Sequence, residues 1–159
     1  MPKKDEMDFE SYVSEHIVPK ASKAAKVPLL LLQCMDSRYP RRILETMDSL
    51  GLRGKYDQLV LAGASLGVVH EETWTDTFFD HLDFAMKEHD VSQVLILDHR
   101  DCGAYKKFLG VGPDDPKKEK EEHAKIYNRA VITIIKKFPR LKDKVRGLLL
   151  PIELVEELR

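Results

Sequence analysis

The chain has 159 residues, the usual length of a single domain built around one hydrophobic core. Apolar residues make up 43% and charged residues 33%, a balance that excludes a disordered or fibrous chain and indicates a globular one. Lys and Arg number 26 against 27 for Asp and Glu, so no excess of positive charge exists to attract nucleic acid or an anionic membrane. We therefore expect a small-molecule substrate.

The location of the chain follows from its N-terminus and its longest apolar run. Residues 1–6 are mostly charged and are not followed by the apolar core of a signal peptide. The run Val27–Leu32 is far shorter than the ~20 residues needed to cross a bilayer. We predict no transmembrane segment and a cytoplasmic location.

The first third of the chain predicts helix, strand and helix. Residues 5–23 carry apolar side chains at helical spacing and predict an amphipathic helix, with the stripe Phe9, Tyr12, Val13 and Ile17. Val27–Gln33 is continuously apolar, as in a parallel strand covered on both faces, and Cys34 follows it. Pro40 and Gly51 then mark the start and the end of a second helix.

The rest of the chain continues the alternation. Strands are predicted at Asp57–Ala62, Val91–Leu97 and Val145–Leu150. A long helix with an apolar stripe from Trp74 to His89 lies between the first two of these strands, and a polar loop over Gly110–Pro116 leads to a helix with an apolar stripe from Tyr127 to Phe138. His99 and Cys102 lie just beyond the third predicted strand. The pattern predicts one α/β domain over residues 1–159, with a mainly parallel, roughly four-stranded sheet flanked by helices and preceded by the N-terminal helix.

The only two cysteines and one histidine are candidate metal ligands. In an open parallel sheet, sites gather at the C-terminal ends of the strands, which brings Cys34 together with His99 and Cys102. Two thiolates and an imidazole suit zinc, and three protein ligands leave a fourth position open, as in catalytic sites. Buried apolar cysteines and a loop histidine are the structural alternative.

Asp36 and Arg38 are candidate catalytic residues beside that metal. With Cys34 they alternate along the chain, so in an extended turn the three side chains share a face. Asp36 could orient the water in the open zinc position, while Arg38 keeps the carboxylate of Asp36 ionised through a bidentate pair. A turn cap and a surface ion pair are the alternative. Asp101 is expected to bond backbone amides in its turn, outside the catalytic set.

Two motifs resemble the paired signature of the β-class carbonic anhydrases. They are Cys34-Met-Asp36-Ser-Arg38 and His99-Arg-Asp-Cys102-Gly103. Residues 62–63, 82–85 and 91–97 are similar to segments that lie between these motifs in the family, so the resemblance runs from about Val27 to Gly110. Asp98 stands where the family usually has glycine before the ligand histidine.

The resemblance implies reversible hydration of carbon dioxide to bicarbonate by a zinc lyase. It implies Zn²⁺ at Cys34, His99 and Cys102, an Asp36–Arg38 dyad, and Asp36 as a fourth ligand in a closed state. It also implies a homodimer or higher homo-oligomer in which residues 1–25 contact a partner subunit. The proton released has five candidate carriers, namely His16, His70, His81, His89 and His123.

Three other functions remain open from the sequence. The same site could hydrolyse carbonyl sulfide or carbon disulfide, because members of this fold group also resemble hydrolases of these two molecules. A noncatalytic zinc-binding scaffold or regulatory protein would bind the metal without hydrating carbon dioxide. A nucleotide-binding module is disfavoured because Gly63-Ala-Ser-Leu-Gly67 lacks both the dinucleotide fingerprint and the phosphate-loop ending.

Overall fold

The computed structural model describes residues 8–21 and 26–153. The elements in chain order are α1 (Phe9–His16), α2 (Val18–Ala21), β1 (Leu29–Cys34), α3 (Pro40–Ser49), β2 (Tyr56–Leu61), α4 (Ser65–Val69), α5 (Glu72–Glu88), β3 (Gln93–His99), α6 (Gly103–Leu109), α7 (Pro116–Lys137), a 3₁₀ turn (Pro139–Leu141) and β4 (Val145–Leu150). Helices and strands alternate along most of the described chain, as the sequence predicts.

The four strands form one parallel sheet in the order β2-β1-β3-β4. The two central strands, β1 and β3, are buried along their whole lengths, which explains the apolar runs Leu29–Leu32 and Val94–Leu97 within them. The register pairs Cys34 with Leu61 and His99 with Leu150, so the carboxyl ends of all four strands meet at one edge. The predicted fold class, an α/β domain with a mainly parallel four-stranded sheet, is confirmed.

The core lies in two layers, one on each face of the sheet. Alternate residues of β1 separate accordingly: Leu30 and Leu32 belong to the layer that includes residues of α5 and α7, whereas Leu29 and Leu31 belong to the layer that includes residues of α1 and α3. Side chains of a strand point alternately to opposite faces, so both layers need apolar residues from the same strand. The sheet is therefore held from both sides, and its carboxyl edge is a rigid platform.

The N-terminal segment is two helices where the sequence predicts one. Asp8 caps α1 by accepting a 2.8 Å hydrogen bond from the backbone N–H of Ser11, and α1 ends at Ile17 before α2 begins. The predicted stripe of Phe9, Tyr12, Val13 and Ile17 is buried in the core of its own chain. Residues 1–7 and 22–25 of the predicted segment lie outside the described residues, and its contact with a partner subunit stays a prediction.

Two short helices were not predicted from the sequence. Helix α4 has 5 residues and α6 has 7, too few for a helical period to show. Helix α4 follows β2 through Gly63 and Ala64, both with positive φ, and a Cβ on Gly63 would lie 2.8 Å from the Cβ of Leu66. Each of these helices begins at the carboxyl edge of the sheet, beside the candidate ligands.

Helix α7 is the longest helix, with 22 residues, and it crosses β4 at a glycine. Its buried apolar residues are Ile126, Ala130 and Ile134, whereas lysines and glutamates line much of its remaining surface.

Among the described residues, no helix combines the length and the apolar character needed to cross a membrane.

We expect Gly147→Ala to destabilise the protein by about 1–3 kcal/mol, because the core has no room for the added methyl group. A Cβ at Gly147 would lie 2.1 Å from Cε2 of Tyr127 on α7, so the ring and the helix have to move. Gly103→Ala is the matched control, since its Cβ would meet nothing within 4 Å. Urea unfolding of both variants measures the difference, and equal stabilities would contradict this packing of α7 on β4.

Candidate metal centre

Cys34, His99 and Cys102 meet at the carboxyl edge of the two central strands. Cys34 is the last residue of β1, His99 is the last residue of β3, and Cys102 caps the N-terminus of α6 three residues later. One donor atom from each lies within 4.8 Å of the others, and the two sulfur atoms are 3.9 Å apart. All three residues are buried. The structure thus brings together the three residues that the sequence nominates as metal ligands.

The hydrogen bonds of His99 leave one ring nitrogen free to bind a metal. Its Nδ1 lies 2.8 Å from the carbonyl oxygen of Arg100, so Nδ1 carries the proton and donates it to that oxygen. Its Nε2 is buried and has no hydrogen-bond partner among the described residues. Tyr39 stacks on the imidazole with 4.4 Å between ring centroids and limits its rotation. An oriented imidazole with an unshared lone pair facing two sulfurs fits a zinc ligand set.

The environment of the sulfurs favours a thiolate at Cys34. The pKa of Cys34 is lowered because the thiol of Cys102 donates a hydrogen bond to its sulfur, with further donation from the backbone N–H of Gly63. The pKa of Cys102 is raised by that same bond and by burial. Without a metal the two sulfurs share one proton, and a cation placed between them favours losing it.

Asp36 and Arg38 form a bidentate ion pair next to these ligands. The Nε of Arg38 donates to Oδ1 of Asp36 at 3.0 Å, and its Nη2 donates to Oδ2 at 2.8 Å. This pairing lowers the pKa of Asp36, so the carboxylate is held ionised. Its Oδ2 lies 3.8 Å from Nε2 of His99. Both oxygens of Asp36 bind Arg38 here, and a closed state with Asp36 on the metal stays a prediction.

Asp101 does not make the hydrogen bonds to backbone amides that the sequence predicts for it. Its carboxylate accepts hydrogen bonds from the side chains of Arg38, at 2.9 Å, and of Lys106, instead of bonding backbone amides. Its carbonyl oxygen accepts a second bond from Arg38 at 2.9 Å. The sequence did not reveal this contact because Arg38 reaches Asp101 only after β1 and β3 have paired. Asp101 therefore supports the Asp36–Arg38 pair from the far side of Arg38.

Asp98 is a buried carboxylate directly before the candidate ligand His99. Its two oxygens accept hydrogen bonds from the backbone N–H of Ser65, at 2.9 Å, and from the hydroxyl of Ser65, at 2.6 Å. Burial raises the pKa of Asp98 to about 7, although the two hydrogen bonds lower it in part. The side chain thus joins the end of β3 to the first residue of α4, a contact that glycine could not make.

A cavity of about 410 Å³ opens beside the candidate ligand Cys34 and is lined mainly by apolar groups. Its aromatic walls are Trp74 and Phe108, and Lys107 is the basic residue that lines it. The remaining lining residues are Cys34, Met35, Asp36, Ala62, Gly63, Gly103 and Ala104. A small uncharged molecule fits such a pocket, and the carboxylate of Asp36 offers it one polar contact.

The five histidines proposed as proton carriers lie in different surroundings. His70 stacks on the pocket residue Phe108, with 4.1 Å between ring centroids. His89 pairs with Asp57, and His81 lies exposed on α5. His16 contacts Tyr12 in α1 with the rings tilted, and His123 is buried and stacked on Tyr105. By the described contacts, His70 is the one beside a pocket residue.

Four residues contribute to the site without having been singled out as functional from the sequence. They are Tyr39, which stacks on His99, Gly63, whose N–H bonds the sulfur of Cys34, Ser65, which binds Asp98, and Glu119, which binds the loop between His99 and Cys102. Each acts through a contact between distant parts of the chain. A buried Glu on a lysine-rich helix carries no local signal of such a contact.

Comparison with known proteins places the chain in a family. Residues 24–150 match the family described as "Putative carbonic anhydrase". Two uncharacterised proteins of Rickettsia bellii and Rickettsia conorii are 40% and 38% identical over 116 residues. The alignments cover 71% of this chain, and 71% and 62% of the two relatives. The chain thus spans less than two thirds of the second relative.

Two solved structures are also similar. A tetrameric β-carbonic anhydrase of Sordaria macrospora is 18% identical, with a TM-score of 0.49 over 90% of this chain and 85% of the other. The β-carbonic anhydrase CafA of Aspergillus fumigatus is 21% identical, with a TM-score of 0.44 over 87% of this chain and 78% of the other. On the family match, which spans most of the sequence and includes both motifs, the chain belongs to this carbonic anhydrase family, as those motifs predict.

Proposed function

We propose that the protein is a zinc-dependent carbonic anhydrase, a lyase that reversibly hydrates carbon dioxide to bicarbonate and a proton. One observation carries the proposal. Cys34, His99 and Cys102 converge on one buried point, with the Asp36–Arg38 pair beside it and an apolar pocket above it. Membership of the carbonic anhydrase family supports the same reaction.

Cys34, His99 and Cys102 would hold the zinc ion, and three ligands leave one tetrahedral position for the reacting molecules. The buried Nε2 of His99 and the paired sulfurs supply the donor set that this metal prefers. When bound, zinc supplies the Lewis acidity that turns water into a nucleophile at neutral pH.

Asp36 orients the attacking water in this proposal. Its carboxylate is fixed by Arg38 and kept ionised, so it accepts a hydrogen bond and aims the remaining lone pair of that water at the pocket. The aromatic walls at Trp74 and Phe108 receive carbon dioxide, which is uncharged and lacks hydrogen-bond donors. His70, which contacts the pocket residue Phe108, would pass the released proton to solvent.

Hydrolysis of carbonyl sulfide or carbon disulfide is the second candidate activity. The apolar pocket with Met35, Trp74 and Phe108 favours it, because these polarisable side chains attract sulfur-containing molecules as well as carbon dioxide. We also propose a homodimer, as the family resemblance implies, and a cytoplasmic location. Light scattering on the purified protein tests the dimer, and fractionation of the source cells tests the location.

Stopped-flow hydration of carbon dioxide with a pH indicator tests the proposal. We expect protein carrying one zinc per chain to catalyse the reaction, protein stripped by a chelator to fall to the uncatalysed rate, and restored zinc to recover it. Zinc at one per chain with no hydration at neutral or alkaline pH would contradict the lyase proposal. Turnover of carbonyl sulfide or carbon disulfide would then indicate the second activity, and no turnover would indicate a noncatalytic zinc protein.

A further inference from the structure

Glu119 on α7 is a buried carboxylate that binds the segment between two candidate ligands. It is 0% exposed. Its Oε1 accepts a hydrogen bond from the backbone N–H of Asp101 at 2.6 Å, and its Oε2 accepts one from Nε of Arg100 at 3.0 Å. Both donors lie between His99 and Cys102. Burying a carboxylate costs free energy unless both of its oxygens accept hydrogen bonds. Glu119 therefore favours the conformation of the segment in which both donors reach it.

Glu119 is not needed to cap its own helix. Asp115 does this by accepting a 3.1 Å hydrogen bond from the backbone N–H of Lys118, and Pro116 starts the helix without an N–H to satisfy. Both oxygens of Glu119 therefore remain available to residues outside α7, and the described bonds direct them to the segment between the ligands.

The segment needs such support because its backbone is strained. Asp101 has a φ of +59°, a conformation that residues other than glycine rarely adopt and that persists only where the surroundings enforce it. The N–H of this same residue donates to Glu119. The carboxylate and the carbonyl oxygen of Asp101 bind Arg38, which in turn binds Asp36. Glu119 thus holds the residue that links the ligand segment to the Asp36–Arg38 pair.

We propose that Glu119 is the positioning residue of the metal centre, fixing the segment between His99 and Cys102 and, through Asp101, the Asp36–Arg38 pair. The inference rests on the proposed function for the identity of the metal. It concerns the geometry of the ligands, so it is tested by metal binding instead of by turnover.

Glu119→Gln is the test variant, because glutamine keeps the shape but has one acceptor oxygen for two donors and turns an N–H₂ group toward the other. We expect its zinc dissociation constant, measured in competition with a chromophoric chelator, to rise about 10- to 100-fold. Glu121→Gln is the matched control on the same helix, since this side chain is 65% exposed and its ion pair with Lys117 is 4.0 Å long. We expect the control to bind zinc as the parent does.

Cobalt(II) in place of zinc reports the arrangement of the three ligands directly. We expect the thiolate charge-transfer and ligand-field bands to shift in Glu119→Gln and to stay unchanged in Glu121→Gln. Arg100→Met removes one of the two donors and leaves the bond from the Asp101 N–H, so a smaller change in the same direction is expected. If Glu119→Gln does not fold, the cobalt spectrum of Arg100→Met tests the proposal instead.

Hydrogen exchange of the metal-free protein gives a readout that depends neither on zinc nor on turnover. We expect amides 100–103 to exchange faster in Glu119→Gln, while the amides of α5 keep the parent rate. Zinc affinity within about twofold of the parent, with an unchanged cobalt spectrum, would overturn the proposal, as would uniformly faster exchange. Failure of carbon dioxide hydration in the parent would remove the proposed function and leave these measurements valid.

Discussion

A Cys34→Ser variant is expected to bind zinc at least about 100-fold more weakly than the parent and to hydrate carbon dioxide at the uncatalysed rate. Losing a ligand should cost more than the 10- to 100-fold typical of residues that only support ligands. The loss also removes the thiolate that the neighbouring groups stabilise most, since Cys102 and the backbone N–H of Gly63 both donate to the Cys34 sulfur. A serine hydroxyl can accept the Gly63 bond but is a poor zinc ligand at neutral pH.

Zinc content, a chelator competition and stopped-flow hydration measure the three parts of this prediction. Ser37→Ala is the control, because Ser37 is exposed in the same loop. Circular dichroism of both variants should match the parent, since the change at Cys34 is small and preserves a hydrogen-bond acceptor. A Cys34→Ser protein that keeps one tightly bound zinc per chain would show that the ligand assignment is wrong.

The two central strands could be predicted from the sequence because they are buried along their whole lengths. β1 and β3 are buried on both faces, which produces the short continuous apolar runs typical of central parallel strands, and β4 lies at the residues predicted. Short helices carry no such signal. Helix α4 has a tertiary contact at its first residue, where Ser65 binds Asp98, and α6 starts at Cys102 without a side-chain capping bond.

The convergence of the candidate ligands could also be predicted, since it follows from parallel topology alone. Cys34 and His99 end neighbouring strands, and the carboxyl ends of such strands share an edge. The contacts that orient the ligands could not be predicted from the sequence. Tyr39 meets His99, and Glu119 meets Asp101, only after the helices have been placed on the sheet. Sequence spacing reveals which residues share an edge, whereas their orientation depends on contacts with other elements.

The second large effect is expected at His123, which should make the stability of the protein depend on pH. The ring is buried and stacked on Tyr105 with 3.7 Å between centroids, and neither ring nitrogen has a hydrogen-bond partner among the described residues. Burial is the main cause that lowers the pKa of His123 from 6.5 to about 4, and the nearby His99 and Arg100 contribute in the same direction. The folded protein therefore keeps this imidazole neutral where the unfolded chain protonates it.

The sign of the effect follows from proton counting. Between about pH 6.5 and about pH 4 the unfolded state binds more protons at His123 than the folded state, so stability falls as the pH falls through this window. The contribution is fully present above pH 6.5 and is lost by about pH 4, a change of about 3 kcal/mol for a shift of this size. Buried Asp98 acts in the opposite direction because its pKa is raised to about 7. The effect of His123 must therefore be read from a difference between variants.

His123→Phe keeps a ring on Tyr105 and removes the titrating group. At about pH 7.5 we expect this variant to be at least as stable as the parent, because two unpaired buried nitrogens are gone. At about pH 4.5 its advantage over the parent should grow by about 2–3 kcal/mol, measured by urea unfolding at both pH values. His81→Gln, an exposed change on α5, should keep the acid sensitivity of the parent. If the difference between His123→Phe and the parent is the same at both pH values, His123 takes up its proton in the folded protein, and the ring is not held neutral by burial.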